Sequence, residues 1–327
     1  MIERDVSPMA STEEVVAELR RRKAFVMVSH VKPDGDTLGA GLALGLALKK
    51  LGKRVHYFQQ DLVPRNLRFL PETQFVSNVL PADLPSDALF VFCDMSDPAR
   101  AGETVASILR ENTLDVDHHL GNTLFGFLNY VLPKECSTGT CVMHLLRGLG
   151  AEIDPAIATC ILTTIMTDTG GLMHSNTTPE ALELSAELMR LGADKERISR
   201  EIFSNKRVAA IKLLGRIIDV MQFAHEGRYC WSFVDDKMLA ESGADGEDTE
   251  DYVNVLLGQE GVEVAALFKA FDGEIRVSLR STGRINVQAA AASLGGGGHF
   301  RASGLTYHGS LEEAMRAVDG ALVAQGL

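Results

Sequence analysis

The sequence has no long hydrophobic run. Its longest candidate, Gly39–Leu48, is ten residues of mostly glycine, alanine and leucine, against the roughly 20 apolar residues that a membrane-spanning helix needs. Membrane insertion is therefore not expected. The first residues carry acids at Glu3, Asp5, Glu13 and Glu14 and show no basic segment ahead of an apolar core, so no secretory signal is expected and the compartment to expect is the cytoplasm. Cysteine is sparse: Cys93, Cys136, Cys141, Cys160 and Cys230 are odd in number and contain no C-x-x-C pair, which excludes a disulfide framework and a zinc ribbon. An excess of basic charge is also lacking. With 32 Lys and Arg against 44 Asp and Glu the net charge is -12, which speaks against a protein that coats duplex DNA through a basic face. The motifs G-x-x-x-x-G-K-[ST], H-E-x-x-H and G-x-S-x-G are absent, removing the nucleotide-loop, zinc-protease and serine-hydrolase templates.

What is present is an ordinary globular composition, 46% hydrophobic and 23% charged, in 327 residues, enough for two domains with separate cores. Apolar β-rich runs at 24–30, 53–58, 88–93 and 113–116 alternate with helical patterns at 37–51, 102–110, 140–149, 155–167 and 179–191. That alternation predicts an α/β fold with a doubly wound parallel sheet. A polar stretch, 192–206, and two helical runs lead to about Gln222, where the grammar changes. Beyond it lie a strand at 229–234, an acidic loop with six acids and no base over 241–251, and a helix at 252–257. Two β runs joined by Phe271-Asp272-Gly273 read as a hairpin. A helix at 287–294, a short strand at 302–307 and a closing helix at 311–322 complete a second, smaller α+β domain.

In open α/β sheets ligands bind beyond the carboxyl ends of the strands, and those ends are rich in acids and imidazoles. The first strand leads into His30-Val31-Lys32-Pro33-Asp34-Gly35-Asp36, the third into Cys93-Asp94 and the fourth into Asp117-His118-His119, while Asp168 follows a long apolar helix. Singly, each acid would pass as a helix cap or turn residue. Together, uncompensated carboxylates would repel and shift one another's pKa values unless a cation neutralised them. Mixed imidazole and carboxylate donors without thiolates suit a divalent ion such as manganese, with magnesium or cobalt as substitutes. There are more candidate ligands than one ion needs. Two ions about 3.5 to 4 Å apart, bridged by one carboxylate, would use them and would activate water for attack on phosphorus.

The second domain contributes Ser278-Leu279-Arg280-Ser281 and the run Gly295-Gly296-Gly297-Gly298-His299-Phe300-Arg301-Ala302-Ser303-Gly304. Glycines ahead of a histidine let backbone N–H groups approach a phosphate closely. From Ile275 to Ser310 there are four arginines and no acid, a cationic strip suited to a phosphate-bearing ligand. His56, His144, His174, His225 and His308 are isolated by comparison and are read as surface or satisfied histidines.

In order and spacing, His30–Asp36, Asp94, Asp117-His118-His119 and Asp168, followed by Gly295–Gly304, resemble the DHH phosphoesterase superfamily with its DHH-associated C-terminal domain, over nearly the whole chain. The length and the pairing of Ser278–Ser281 with Gly296–Ser303 resemble its nanoRNase and pAp phosphatase branch. The resemblance implies a catalytic domain over 1–190, a helical linker over 191–222 and a substrate-binding domain over 223–327. It implies one metal on His30, Asp34 and Asp94 and a second on Asp36, Asp94, His118 and Asp168. His119 would face the scissile phosphate, and Asp117 would orient the neighbouring histidines. Substrate would be bound by Ser278, Arg280, Ser281, Gly296, Gly297, Gly298, His299 and Ser303. The activity implied is manganese-dependent hydrolysis of short RNA and of 3',5'-bisphosphonucleosides such as pAp, with neither duplex DNA nor membrane as partner and a homodimer as the oligomer to test. A cyclic dinucleotide phosphodiesterase and a non-catalytic nucleotide-binding regulator are the competing readings. An inorganic pyrophosphatase fits less well, because that C-terminal domain carries lysine and arginine ligands in place of this Gly-Gly-Gly-His strip. Lys32, Ala40 and Thr140 stand where the branch often has asparagine, serine and glutamate, and none of them removes a proposed ligand.

Overall fold

The computed structural model describes residues 9–106, 112–271 and 274–327. The chain divides into two compact units, 1–205 and 206–327.

In the first unit, α1 (Thr12–Arg21) opens on a capping box between Ser11 and Glu14. There follow β1 (Ala24–Val28), α2 (Gly35–Lys50), β2 (Arg54–Phe58), β3 (Val76–Ser77), β4 (Leu89–Cys93), α3 (Glu103–Ala106), β5 (Thr113–Asp117) and β6 (Leu128–Val131). The unit closes with α4 (Thr138–Leu149), α5 (Pro155–Asp168), α6 (Pro179–Arg190) and α7 (Lys195–Ser199). The six strands form one parallel sheet in the order β3-β2-β1-β4-β5-β6. Alternate residues of β1 serve opposite faces: Phe25 and Met27 join the core under α2, α4 and α5, and Val26 and Val28 join a second core with Phe90, Phe92 and Met95. Strand order reverses between β1 and β4, which makes their carboxyl ends the switch point of the sheet.

Helices α2 and α5 are apolar almost all round and are correspondingly buried. They pack closely enough that a Cβ at Gly39 would lie 2.8 Å from the Cys160 carbonyl oxygen. That close approach brings the N-terminus of α2 and the C-terminus of α5, which ends in Asp168, to one edge of the sheet.

The second unit runs α8 (Val208–Asp219), β7 (Gln222–Ala224), β8 (Tyr229–Asp235), α9 (Asp236–Ser242), α10 (Tyr252–Leu257), β9 (Val264–Phe271), β10 (Glu274–Ser281), α11 (Val287–Ser293), β11 (Gly297–His299), β12 (Ala302–Tyr307) and α12 (Leu311–Val323). Its sheet order is β11-β12-β10-β9-β8-β7, antiparallel except between β8 and β9. This is the α/β chain with a smaller α+β second domain that the sequence pattern predicts.

The differences are local. The division between the units falls inside the stretch 191–222, with α7 packed on α5 and α8 packed on α9 and β8. Strand β6, Leu-Asn-Tyr-Val, has no counterpart in the sequence reading; it pairs along β5, and on its other side Ala10 N–H donates to the Asn129 carbonyl at 2.8 Å. The glycine-rich turn contains β11, an exposed edge strand that pairs with β12 on one side only. The acidic loop begins as helix α9, capped by Asp235 and ended by Gly243 in the left-handed conformation. Five of its six acids are exposed, as a solvated loop requires, and Arg207 bridges Asp245 and the more buried Asp248 at 2.9 and 2.8 Å. Of the helix read at 102–110 only Glu103–Ala106 is described, and Asp272-Gly273 of the hairpin also lies outside the described residues.

Candidate metal centre

Asp34 is the N-cap of α2: its Oδ1 accepts from the backbone N–H groups of Asp36 and Thr37 at 3.0 and 3.1 Å. Its other oxygen, Oδ2, lies 3.7 Å from His30 Nε2. His30 is 3% exposed and its Nδ1 is 2.8 Å from the Val31 carbonyl oxygen. A carbonyl can only accept, so Nδ1 carries a hydrogen and Nε2 is the nitrogen turned to the site. That Nε2 is buried without a hydrogen-bond partner among the described residues, with Asp94 Oδ2 at 3.4 Å. Burial disfavours charge on this imidazole, but Asp34 and Asp94 outweigh it and push its pKa up to about 10.

Asp36, in the first turn of α2, is 1% exposed. The N-terminus of α4 receives it: Thr138 N–H and Gly139 N–H donate to its two oxygens at 2.7 and 3.1 Å. Even so, burial and then the charges of Asp94 and Asp168 push its carboxyl well above the usual range. Burial likewise lifts Asp168 to about 7, with His118 opposing and Asp94 reinforcing the shift.

Asp94 sits between the two sets. It leaves β4 with a left-handed φ of 62°, an uncommon conformation for a residue with a side chain. Oδ2 faces His30, and Oδ1 lies 3.7 Å from His118 Nε2 and 3.4 Å from His119 Nδ1. His118 Nε2 also stands 3.7 Å from Asp36 and 3.6 Å from Asp168. Ligand atoms of His30, Asp34 and Asp94, and those of Asp36, His118 and Asp168, lie within 4.8 Å of one another in each set.

This arrangement fits divalent cations. An orphaned imidazole nitrogen faces two carboxylates, and buried acids are crowded until their proton affinities rise; a cation offsets both costs.

Asp117 is fully buried at the end of β5. Its Oδ1 accepts from His118 N–H at 2.8 Å and His119 Nδ1 at 2.6 Å, and its Oδ2 accepts from Asn122 Nδ2 at 2.6 Å. Burial opposes ionisation, but these donors prevail and hold its pKa near 2. His119 responds in kind: burial lowers its proton affinity, and Asp117 and Asp94 raise it by more.

Three polar residues that sequence reasoning missed complete the centre. Asn122 braces Asp117, Thr138 donates its hydroxyl to Asp94 Oδ1 at 3.1 Å, and Asn176 donates to the Asp168 carboxylate at 3.3 Å. The helix-start pattern at Ser137-Thr138 was the one sequence signal available for them. Asp115, on β5, is buried with both oxygens unbonded among the described residues. His174 lies beside Asp168, its Nδ1 3.4 Å from the Asp168 carbonyl.

In the second unit, Ser278 and Arg280 lie on β10 opposite Gly304 and Ala302, and Arg280 Nη1 donates to the Leu279 carbonyl at 3.0 Å. Gly297, Gly298 and His299 form the exposed strand β11, and Gly296 precedes it. A Cβ on Gly298 would meet the Ala302 oxygen at 2.6 Å, so close strand packing demands that glycine. Ser281 and Ser303 are buried and donate to the carbonyls of Ile285 and Val287 at 2.8 and 2.6 Å, which commits both hydroxyls to internal bonds.

Residues 23–165 match the DHH family N-terminal domain, and residues 226–324 match the DHHA1 domain. The chain belongs to the DHH family. It is 34% identical over 293 residues to the bifunctional oligoribonuclease and PAP phosphatase NrnA of Thermus thermophilus, covering 89% of this chain and 87% of that one. The Bacillus subtilis protein of the same name is 24% identical, with 93% and 95% covered. Among solved structures, an exopolyphosphatase-related protein from Bacteroides fragilis superimposes with a TM-score of 0.87 at 26% identity, covering 96% of each chain. In this DHH protein no helix of the described residues is long and apolar enough to cross a membrane.

Proposed function

We propose that this DHH protein is a divalent-metal-dependent phosphoesterase that hydrolyses short RNA oligonucleotides to mononucleotides and pAp to AMP. The observation that carries the reading is a set of four carboxylates and two imidazoles around Asp94, with His30, Asp36, Asp94 and His118 buried, in a chain related along most of its length to oligoribonuclease and PAP phosphatases. Two manganese ions are the proposed cofactor, held by His30, Asp34 and Asp94 and by Asp36, Asp94, His118 and Asp168, with magnesium or cobalt as substitutes. When bound they supply charge neutralisation at phosphorus and a water of lowered pKa.

The chain's own residues do the rest. Asp94 offers one oxygen to each set. Asp117, braced by Asn122, keeps a proton on His119 Nδ1 and favours the charged imidazolium, which suits His119 to binding a phosphate oxygen and protonating a departing one. In the second unit, Ser278, Arg280, Ser281, Gly296, Gly297, Gly298, His299 and Ser303 form the proposed substrate-binding strip, with Arg280, His299 and the glycine N–H groups as donors to phosphate and sugar. Ser281 and Ser303 contribute by fixing the local backbone. A catalytic domain over 1–190, a linker over 191–222 and a substrate domain over 223–327 remain the functional division proposed, in the cytoplasm, with all five cysteines as reduced thiols; each is buried.

The test is a comparison of initial rates with purified protein and manganese on pAp, a dinucleotide, a five-nucleotide RNA, a twenty-nucleotide RNA and cyclic di-AMP. The dinucleotide and pAp should be fastest. Preference for the twenty-nucleotide RNA or for cyclic di-AMP would overturn the assignment.

A further inference from the structure

Arg100 stands in a tight 3-10 turn, Pro98–Ala101, that follows Asp94 and is capped by Asp97. Its backbone is tied to the first strand's exit loop, because Val31 N–H donates to the Arg100 carbonyl at 2.7 Å. The side chain is part-buried. Among the described residues its guanidinium makes one polar contact, a long one of 3.5 Å from Nη1 to the Asp94 backbone oxygen. A guanidinium carries five N–H donors in a planar fork, so most of this one's capacity is unspent. Its charge is felt at Asp34 and at His119, on either side of Asp94. A cation rooted beside four carboxylates would ordinarily pair with one; this one is held by backbone contacts instead.

Charge counting shows what such a group is for. The carboxylates of Asp34, Asp36, Asp94 and Asp168 carry four negative charges, and two divalent ions would cancel them. The negative charge of a phosphodiester, and the additional charge that builds on its oxygens during attack, must then be met by other donors. Among the described residues His119 and Arg100 are two such donors.

We propose that Arg100 is a substrate-binding residue that grips the non-bridging oxygens of the scissile phosphate. The inference rests on the phosphoesterase reading above and adds to it a residue outside both metal sets and outside the glycine-rich strip. It separates Arg100 from Arg280 and His299: those would act on the remote part of a nucleotide substrate, whereas Arg100 acts on the phosphate that every substrate shares.

The test compares wild type with Arg100→Ala and Arg100→Gln, the latter retaining length without charge in case the alanine variant folds poorly. Manganese binding by calorimetry and thermal melting should match wild type. Inorganic phosphate should bind the manganese-loaded variants at least about tenfold more weakly, and kcat/KM should fall by about 10²-fold on pAp and equally on bis-p-nitrophenyl phosphate. Phosphate affinity and kcat/KM within twofold of wild type would overturn the proposal. So would a parallel loss of manganese affinity and melting temperature, which would make Arg100 a prop for the Asp94 backbone. If wild type cleaves bis-p-nitrophenyl phosphate but not pAp, the substrate assignment fails while the comparison on the generic ester still decides Arg100. If wild type cleaves neither, phosphate binding decides it.

Discussion

Replacing Asp117 with asparagine probes the centre without touching a proposed metal ligand. Two donors, His118 N–H and His119 Nδ1, converge on Oδ1, so the asparagine must keep its oxygen there. Its amide nitrogen then takes the place of Oδ2 and meets Asn122 Nδ2, now 2.6 Å from that oxygen, donor against donor. Asn122 cannot simply turn over, because its Oδ1 already accepts from Leu124 N–H at 2.6 Å and its Nδ2 also reaches the Met95 carbonyl at 3.2 Å. One charge-assisted bond is lost outright and two are weakened. At about 1.5 to 3 kcal/mol for a bond to a charged group, the cost to stability is about 2 to 4 kcal/mol. With Asp117 neutral, the burial that opposes charge on His119 gains ground, so the imidazole pKa should fall towards or below its ordinary value. Turnover of a dinucleotide should drop by about 10² to 10³. Urea unfolding at pH 7, imidazole NMR titration and steady-state kinetics read the three effects. A variant within about 0.5 kcal/mol of wild type, with His119 titrating unchanged, would refute the hydrogen-bond network as the source of the histidine's state.

Three further outcomes are expected. Chelation should abolish hydrolysis and manganese should restore it better than calcium, while Asp94→Ala, which removes the carboxylate facing both sets, should lose activity by several orders of magnitude and still melt cooperatively. His299→Ala and Arg280→Ala should keep manganese binding yet lower kcat/KM for pAp by about 10²-fold, leaving bis-p-nitrophenyl phosphate hydrolysis near wild type; equal losses on both substrates would remove the capture role. The third concerns Asp115, whose carboxyl is pushed well above its ordinary pKa by burial and then by Asp117. The folded state holds that proton where the unfolded chain releases it, so the penalty is absent below about pH 4 and grows as pH rises towards the folded pKa. Metal-free Asp115→Asn should therefore gain stability over wild type progressively above pH 4 in denaturant titrations, and a pH-independent difference would contradict a buried, unbonded carboxyl.

Much of this protein is written locally. The apolar runs mark β1 and β4 as buried strands and α2 and α5 as buried helices, because a parallel sheet covered on both faces leaves no polar face to interrupt the pattern. The acids and histidines at the strand ends are legible for the same reason: the doubly wound topology sends each strand's carboxyl end to one edge, so positions far apart in sequence share a destination. The glycine run before His299 and the arginine-rich, acid-free stretch around it are visible as composition alone.

What the chain order does not carry is which polar groups face one another once the layers close. That Thr138 and Gly139 receive Asp36 depends on how α4 docks against α2, and that Asn122 braces Asp117 depends on the path of a loop that returns past the end of β4. Strand β11 exists because β12 offers it an edge, and its Gly-Gly-His has no apolar residue to announce it. That Arg100 has no carboxylate partner and the Asp115 carboxyl no hydrogen bond among the described residues is likewise a property of what lies within a few ångströms, and hydrogen bonds and ion pairs act only over that range. Periodicity is a property of the chain and survives in the sequence, whereas complementarity between polar groups is created by packing and is decided only in the folded structure.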